Sequence, residues 1–155
     1  MSRTELINQA KMLVKPSAEA YAEYNDKQEI LVKQVDQEMQ NREDLLRLIG
    51  EDNFEMMKNN HANHARFMTS MFFSYHPEVF VETIIWVFRA YRAHGFHTTY
   101  WAAQLNAWMQ AIASNLSDNA QKEIMPFYNW LVINIPLFTL LSNEDVAGDP
   151  LTIKH

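Results

Sequence analysis

At 155 residues and 18.2 kDa the chain has the length of one domain, and its 48% apolar and 21% charged residues can bury about two-thirds of the unfolded surface, which excludes a disordered tail. Three glycines and five prolines argue against an all-β chain, and the absence of cysteine excludes disulfides, thiol nucleophiles and Cys-ligated zinc or iron–sulfur centres. A formal charge of −6 sets nucleic acid and anionic membranes aside as default partners.

The N-terminal "MSRTELINQAKMLVK" has no continuous apolar run and does not read as a signal peptide. A first amphipathic helix is expected over about Thr4 to Val14, with Leu6, Ile7, Ala10, Leu13 and Val14 on one side. Pro16 stops it, and Ser17 is placed to cap the next. From Ala18 to Ile49 the apolar positions are Tyr21, Tyr24, Leu31, Val35, Met39, Leu45, Leu46 and Ile49, separated by charges of both signs. That pattern predicts one long, charged, mostly solvated helix ending at Gly50.

The third segment is the most regular. Phe54, Met57, His61, His64, Met68, Met71 and Tyr75 follow at spacings of 3, 4, 3, 4, 3 and 4, which puts them on one helical stripe. Pro77 opens a fourth helix whose buried face carries Phe80, Ile84, Val87 and Tyr91, and Gly95 ends it. A fifth helix starts at Thr98 or Thr99 and carries Trp101, Leu105, Trp108 and Ile112. Ser117 caps a sixth with Ile124, Tyr128, Leu131 and Ile135, kinked or ended at Pro136. The apolar stretch from Pro126 to Leu141 is too short for a bilayer span. The expectation is one all-α domain over 1–142, a frayed polar tail over 143–155, and a cytoplasmic location. Residues 1–60 carry net −4 and residues 61–155 net −2, so the second part is expected to form the core and the first to wrap it.

His61 and His64 lie on the apolar stripe, and an i, i+3 spacing brings two imidazoles to one helical face. They are candidates for lining a pocket or sharing a metal. They can equally be core histidines bonded to backbone, water or Asn60. A metal site needs a third ligand, and "NNHANHARF" supplies none locally; it is not the H-E-x-x-H of a zincin. His94 sits in a last helical turn, where the dipole favours it. Tyr91 falls on a buried stripe, where its hydroxyl needs a partner. Met56, Met57, Met68 and Met71 suit an adaptable pocket or plain core packing. No G-x-S-x-G, P-loop or G-x-G-x-x-G is present, and the carboxylates gather on the charged segment, so a non-catalytic role is expected.

The stretch "VFRAYRAHGFHTTYWAAQLNAWMQAIASNLSDNAQKEIMPFYNWLV" resembles the last helices of the globin superfamily. The match runs through Gly95–Phe96, the aromatic Tyr100 or Trp101, and the mid-helix Tyr128. "NHARFMTSMFFSYHPEVFVETIIW" looks like the distal helix followed by the proximal one, so the resemblance covers about residues 55 to 140. It implies a globin-like bundle of about six helices. The chain departs from that pattern where the proximal histidine belongs: four residues before Gly95 stands Tyr91, while His94 is out of phase. His61 or His64 falls where a distal histidine would.

The chain is therefore similar to the non-haem sensor globins of bacterial stress signalling, some of which hold a fatty acid in the vacated pocket. The resemblance implies a regulatory sensor domain, a homodimer and possible signalling partners. Its pocket, between the third and fourth helices, would be built around His61, His64, Met68, Tyr91, His94 and Trp101. The ligand would be small and apolar or amphipathic, a fatty acid before haem. Two alternatives stay open: a haem-binding gas sensor, with Tyr91, His61 or His64 as axial ligand, and a helical-bundle metal protein using His61 and His64.

Overall fold

The computed structural model describes residues 2–144, and within them the chain is helical, with no strand. The helices are α1 (Arg3–Ala10), α2 (Ala18–Asp26), α3 (Gln28–Gln40), α4 (Leu45–Ile49), α5 (Phe54–Phe73), α6 (Pro77–Ala93), α7 (Tyr100–Asn115), α8 (Asp118–Ile133) and α9 (Ile135–Ser142). Most of the tail expected to fray, residues 145–155, lies outside the described residues.

Local chemistry sets many of these boundaries. Ser2 and Glu5 form a capping box at the start of α1. Ser17 caps α2 and Ser117 caps α8, each hydroxyl accepting from the backbone N–H three residues on at 3.2 Å. The two caps are also held reciprocally. Glu123 of α8 accepts from the Ser17 N–H and O–H at 2.7 and 2.9 Å, and Glu23 of α2 accepts from those of Ser117. Those bonds hold the Glu23 carboxyl below its usual range. Each helix of the α2–α8 pair thus has its N-terminus pinned by a glutamate of the other.

Nine helices among the described residues replace the six expected. The long charged helix is three: α2 ends at Asp26 and α3 begins at Gln28 about Lys27, whose ammonium donates to the Asn115 carbonyl at the C-terminus of α7. A turn at 41–44 then separates α3 from α4, with Asp44 paired to Arg42 and Arg47. The first helix stops at Ala10 rather than Val14, and Val14 is 80% exposed. Leu46, expected on the buried stripe, is 68% exposed. The last break falls at Asn134, where α8 and α9 meet at 55°, and Pro136 sits harmlessly in the first turn of α9. Among the described residues no single helix is long and apolar enough to cross a membrane.

The core is layered by pairing. α3 packs on α5 and α7, α2 on α5 and α8, and α7 on α8. α6 stands apart from this arrangement: its close backbone partners are α1 and α9. Arg92 holds it to the end of α9, donating to the Ser142 hydroxyl at 2.7 Å and to the Ser142 carbonyl. Between α6 and the α5–α7 layer an open space remains.

Candidate functional site

A cavity of about 820 Å³ lies between α5, α6 and α7, with Leu131 of α8 and Phe138 of α9 also in its lining. That volume suits a drug-sized molecule. Met56 and Phe67 of α5, Ile84, Val87 and Phe88 of α6, and Trp101 and Leu105 of α7 make most of the wall apolar. The polar exceptions come from α5, α6 and α7: Asn60, Asn63, His64, Thr83, Tyr91 and Gln104. Arg89 and His94 also line it, His94 at an exposed position and Arg89 with its guanidinium on the Ser142 and Glu144 carbonyls.

The helical stripe of α5 splits its two histidines between two tasks. Residues at i and i+3 are about 60° apart around the axis, enough to aim one ring inward and the other along the wall. His61 is fully buried behind the wall. Its Nδ1 is 2.6 Å from Asp36 Oδ1 on α3, and its Nε2 is 3.1 Å from the Tyr100 hydroxyl on α7. His64 lines the cavity, with its Nε2 2.9 Å from the Tyr128 hydroxyl, which in turn lies 2.8 Å from that of Tyr24. The ring packs 4.6 Å from Trp108. Burial, with the nearby His61 adding to it, pushes the His64 pKa down to about 3, so the imidazole is neutral near pH 7.

Tyr91 is buried on α6, its ring edge-on to Phe96 and Trp101 at 5.0 and 5.7 Å. Burial raises its phenol above the usual range, while the Asn63 and Asn60 amides pull the other way. Trp101 stacks on Phe88 with ring centroids 4.5 Å apart. The structure thus brings His64, Tyr91, His94 and Trp101 to one cavity. His61 and Met68 are buried elsewhere, His61 in the hydrogen-bonded layer behind the wall and Met68 in the core.

Sequence reasoning did not single out Asp36, Asn63, Tyr24 or Gln104. Asp36 reads as one more charge on a solvated face, yet it directly follows Val35 and precedes Met39 by three, which places it at the edge of the buried stripe. Asn60 and Gln104 are buried amides, and both reach the same network: Asn60 Oδ1 accepts from the Tyr100 hydroxyl at 2.7 Å and from Gln104 Nε2 at 3.5 Å.

For a metal, both nitrogens of His61 and one of His64 already have partners, and no group of three His, Asp or Glu side chains among the described residues is arranged to hold an ion. The donor set is also a poor fit to haem iron. Burial opposes the Tyr91 phenolate that would bind it, and His64 Nε2 is turned to Tyr128. No protein-family model, curated protein or solved structure matches the chain.

Proposed function

We propose that this chain is a non-catalytic, cytoplasmic sensor domain of globin-like architecture that binds an amphipathic acid, such as a long-chain fatty acid, in the cavity between α5 and α6. The observation that carries the reading is the cavity itself: about 820 Å³, mainly apolar, with amide and hydroxyl groups converging from α5, α6 and α7. A hydrocarbon chain would lie against Phe67, Val87, Leu105 and Phe138, and the head group against Asn60, Tyr91 and Gln104. Neutral His64 offers no cation for the head group, whose donors would be the Tyr91 hydroxyl, the Asn60 and Gln104 amides and Arg89. Helices packed pairwise around a pocket, with Tyr91 where the resemblance puts a proximal histidine, support the globin-like part of the reading.

A sensor needs two states that bind the ligand with different affinity. α6 is suited to report occupancy, because it forms one cavity wall while its close packing is with α1 and α9. Trp86 lines the cavity and is also 44% exposed, and Val79 is exposed on the same helix. A homodimer or signalling partner contacting α6 would feel the ligand through Trp86.

Native mass spectrometry of the purified chain tests the reading directly, since it reports bound lipid, haem, metal and oligomeric state together. The expected result is a bound carboxylic lipid, or an empty chain that takes up hexadecanoic acid one-to-one after delipidation. A tight one-to-one haem complex with a sharp Soret band would replace this reading with the gas-binding one.

A further inference from the structure

Behind the α5 wall a line of buried hydrogen bonds runs from Asp36 to the cavity, and donor counting gives it a direction. The Tyr100 hydroxyl has one proton, and Asn60 Oδ1, 2.7 Å away, can only accept it. The Tyr100 oxygen then accepts from His61 Nε2–H at 3.1 Å. At the other end of the ring His61 Nδ1 lies 2.6 Å from Asp36 Oδ1, a contact that holds the ring in place. Asn60 Oδ1 is therefore committed on the α7 side, to Tyr100 and to Gln104. That leaves its NH₂ for the cavity, which Asn60 lines.

We infer that Asp36, His61 and Tyr100 are positioning residues that orient the Asn60 amide as a hydrogen-bond donor toward the cavity, so that the site selects a ligand whose head group is an acceptor, a carboxylate ahead of an amine. This selectivity rests on the ligand-binding reading above. It runs against the chain's own net charge of −6, which by itself would draw an amine. Arg89 also favours an acid, but it lies outside the relay, so a preference due to Arg89 would survive cutting the relay.

The experiment compares hexadecanoic acid, hexadecanol and hexadecylamine on the delipidated full chain by isothermal titration. The acid should bind at least tenfold tighter than the amine. Tyr100→Phe keeps the ring and removes the link, and should cut the acid-to-amine ratio about tenfold while leaving hexadecanol affinity within about twofold. Asp36→Asn, at a partly exposed position, should move the ratio the same way with the helical circular dichroism intact, and it carries the test if Tyr100→Phe does not fold. A ratio unchanged by a folded relay variant, or equal binding of acid and amine to the unaltered chain, overturns the relay and leaves ligand binding standing. Binding of none of the three overturns both.

Discussion

His64 Nε2 on α5 and the Tyr128 hydroxyl on α8 meet at 2.9 Å, and Tyr24 extends the contact to α2 at 2.8 Å. Burial raises the Tyr128 and Tyr24 phenols, so both stay protonated, and the neutral imidazole completes a network without a charge. The His64 pKa falls from 6.5 to about 3 on folding, so below about 6.5 the unfolded chain binds more protons than the folded one. Stability from this group is full above pH 6.5 and is lost as the pH falls toward 3, by up to about 1.4 kcal/mol per pH unit. In denaturant titrations between pH 7 and 4, His64→Gln should lose less stability than the unaltered chain. Parallel losses would show that His64 does not carry the effect.

Gly50 and Gly95 end α4 and follow α6 at positive φ, +82° and +100°, and they face each other: a Cβ on Gly50 would sit 3.4 Å from the Gly95 carbonyl oxygen. Asn53 ties the same two ends together, donating to the Ile49 and His94 carbonyls at 2.7 and 2.8 Å. Gly95→Ala has space and pays mainly the left-handed backbone cost, about 1–2 kcal/mol. Gly50→Ala brings a Cβ into contact with the Gly95 carbonyl oxygen, and its φ 82°, ψ 170° lies in a region essentially limited to glycine, so it should cost more. Thermal melts of the two variants give the order, and a smaller loss for Gly50→Ala would contradict it.

Each cap–glutamate pair of α2 and α8, Ser117 with Glu23 and Ser17 with Glu123, should behave as its own coupled unit. Ser117→Ala removes the cap on Ala120 and one bond to Glu23, an expected loss of about 1–2 kcal/mol. A double-mutant cycle with Glu23→Gln should give a coupling of at least about 0.5 kcal/mol, whereas the same cycle pairing Ser17→Ala with Glu23→Gln should be close to additive.

What was legible in the sequence followed the strength of periodicity. The 3–4 stripe marks α5 to within two residues, and Met57, His61, Met68 and Met71 on it are all buried. Ser17, Pro77 and Ser117 announce their helix starts because a cap or an N-terminal proline acts on its own few residues. The breaks at Lys27 and at 41–44 carry no glycine or proline; Asn25, Asp26, Asn41 and Asp44 are weaker signals for a turn, and tertiary contacts such as Lys27 to the end of α7 help fix the breaks there. The different roles of His61 and His64 depend on which neighbours flank α5, and Asp36 and Tyr100 come from helices 25 and 39 residues away in the chain. Single-chain spacing holds no information on such pairs.

Filling the cavity separates ligand binding from folding. Ala90 lines it from α6 and is partly buried, so Ala90→Trp would project an indole into space that Phe67, Trp101 and Leu105 otherwise leave open. Because that space is empty of side chains, the usual overpacking cost of about 1–3 kcal/mol is relieved, and burial of the indole offsets what remains. Hexadecanoic acid at a hundred times its dissociation constant should stabilise the unaltered chain by about 2.7 kcal/mol, a rise in Tm of roughly 5–10 °C for a domain of this size. In Ala90→Trp that rise should vanish while the ligand-free Tm stays within a few degrees of the original. A full ligand-induced rise in the variant would place the binding site elsewhere on the molecule.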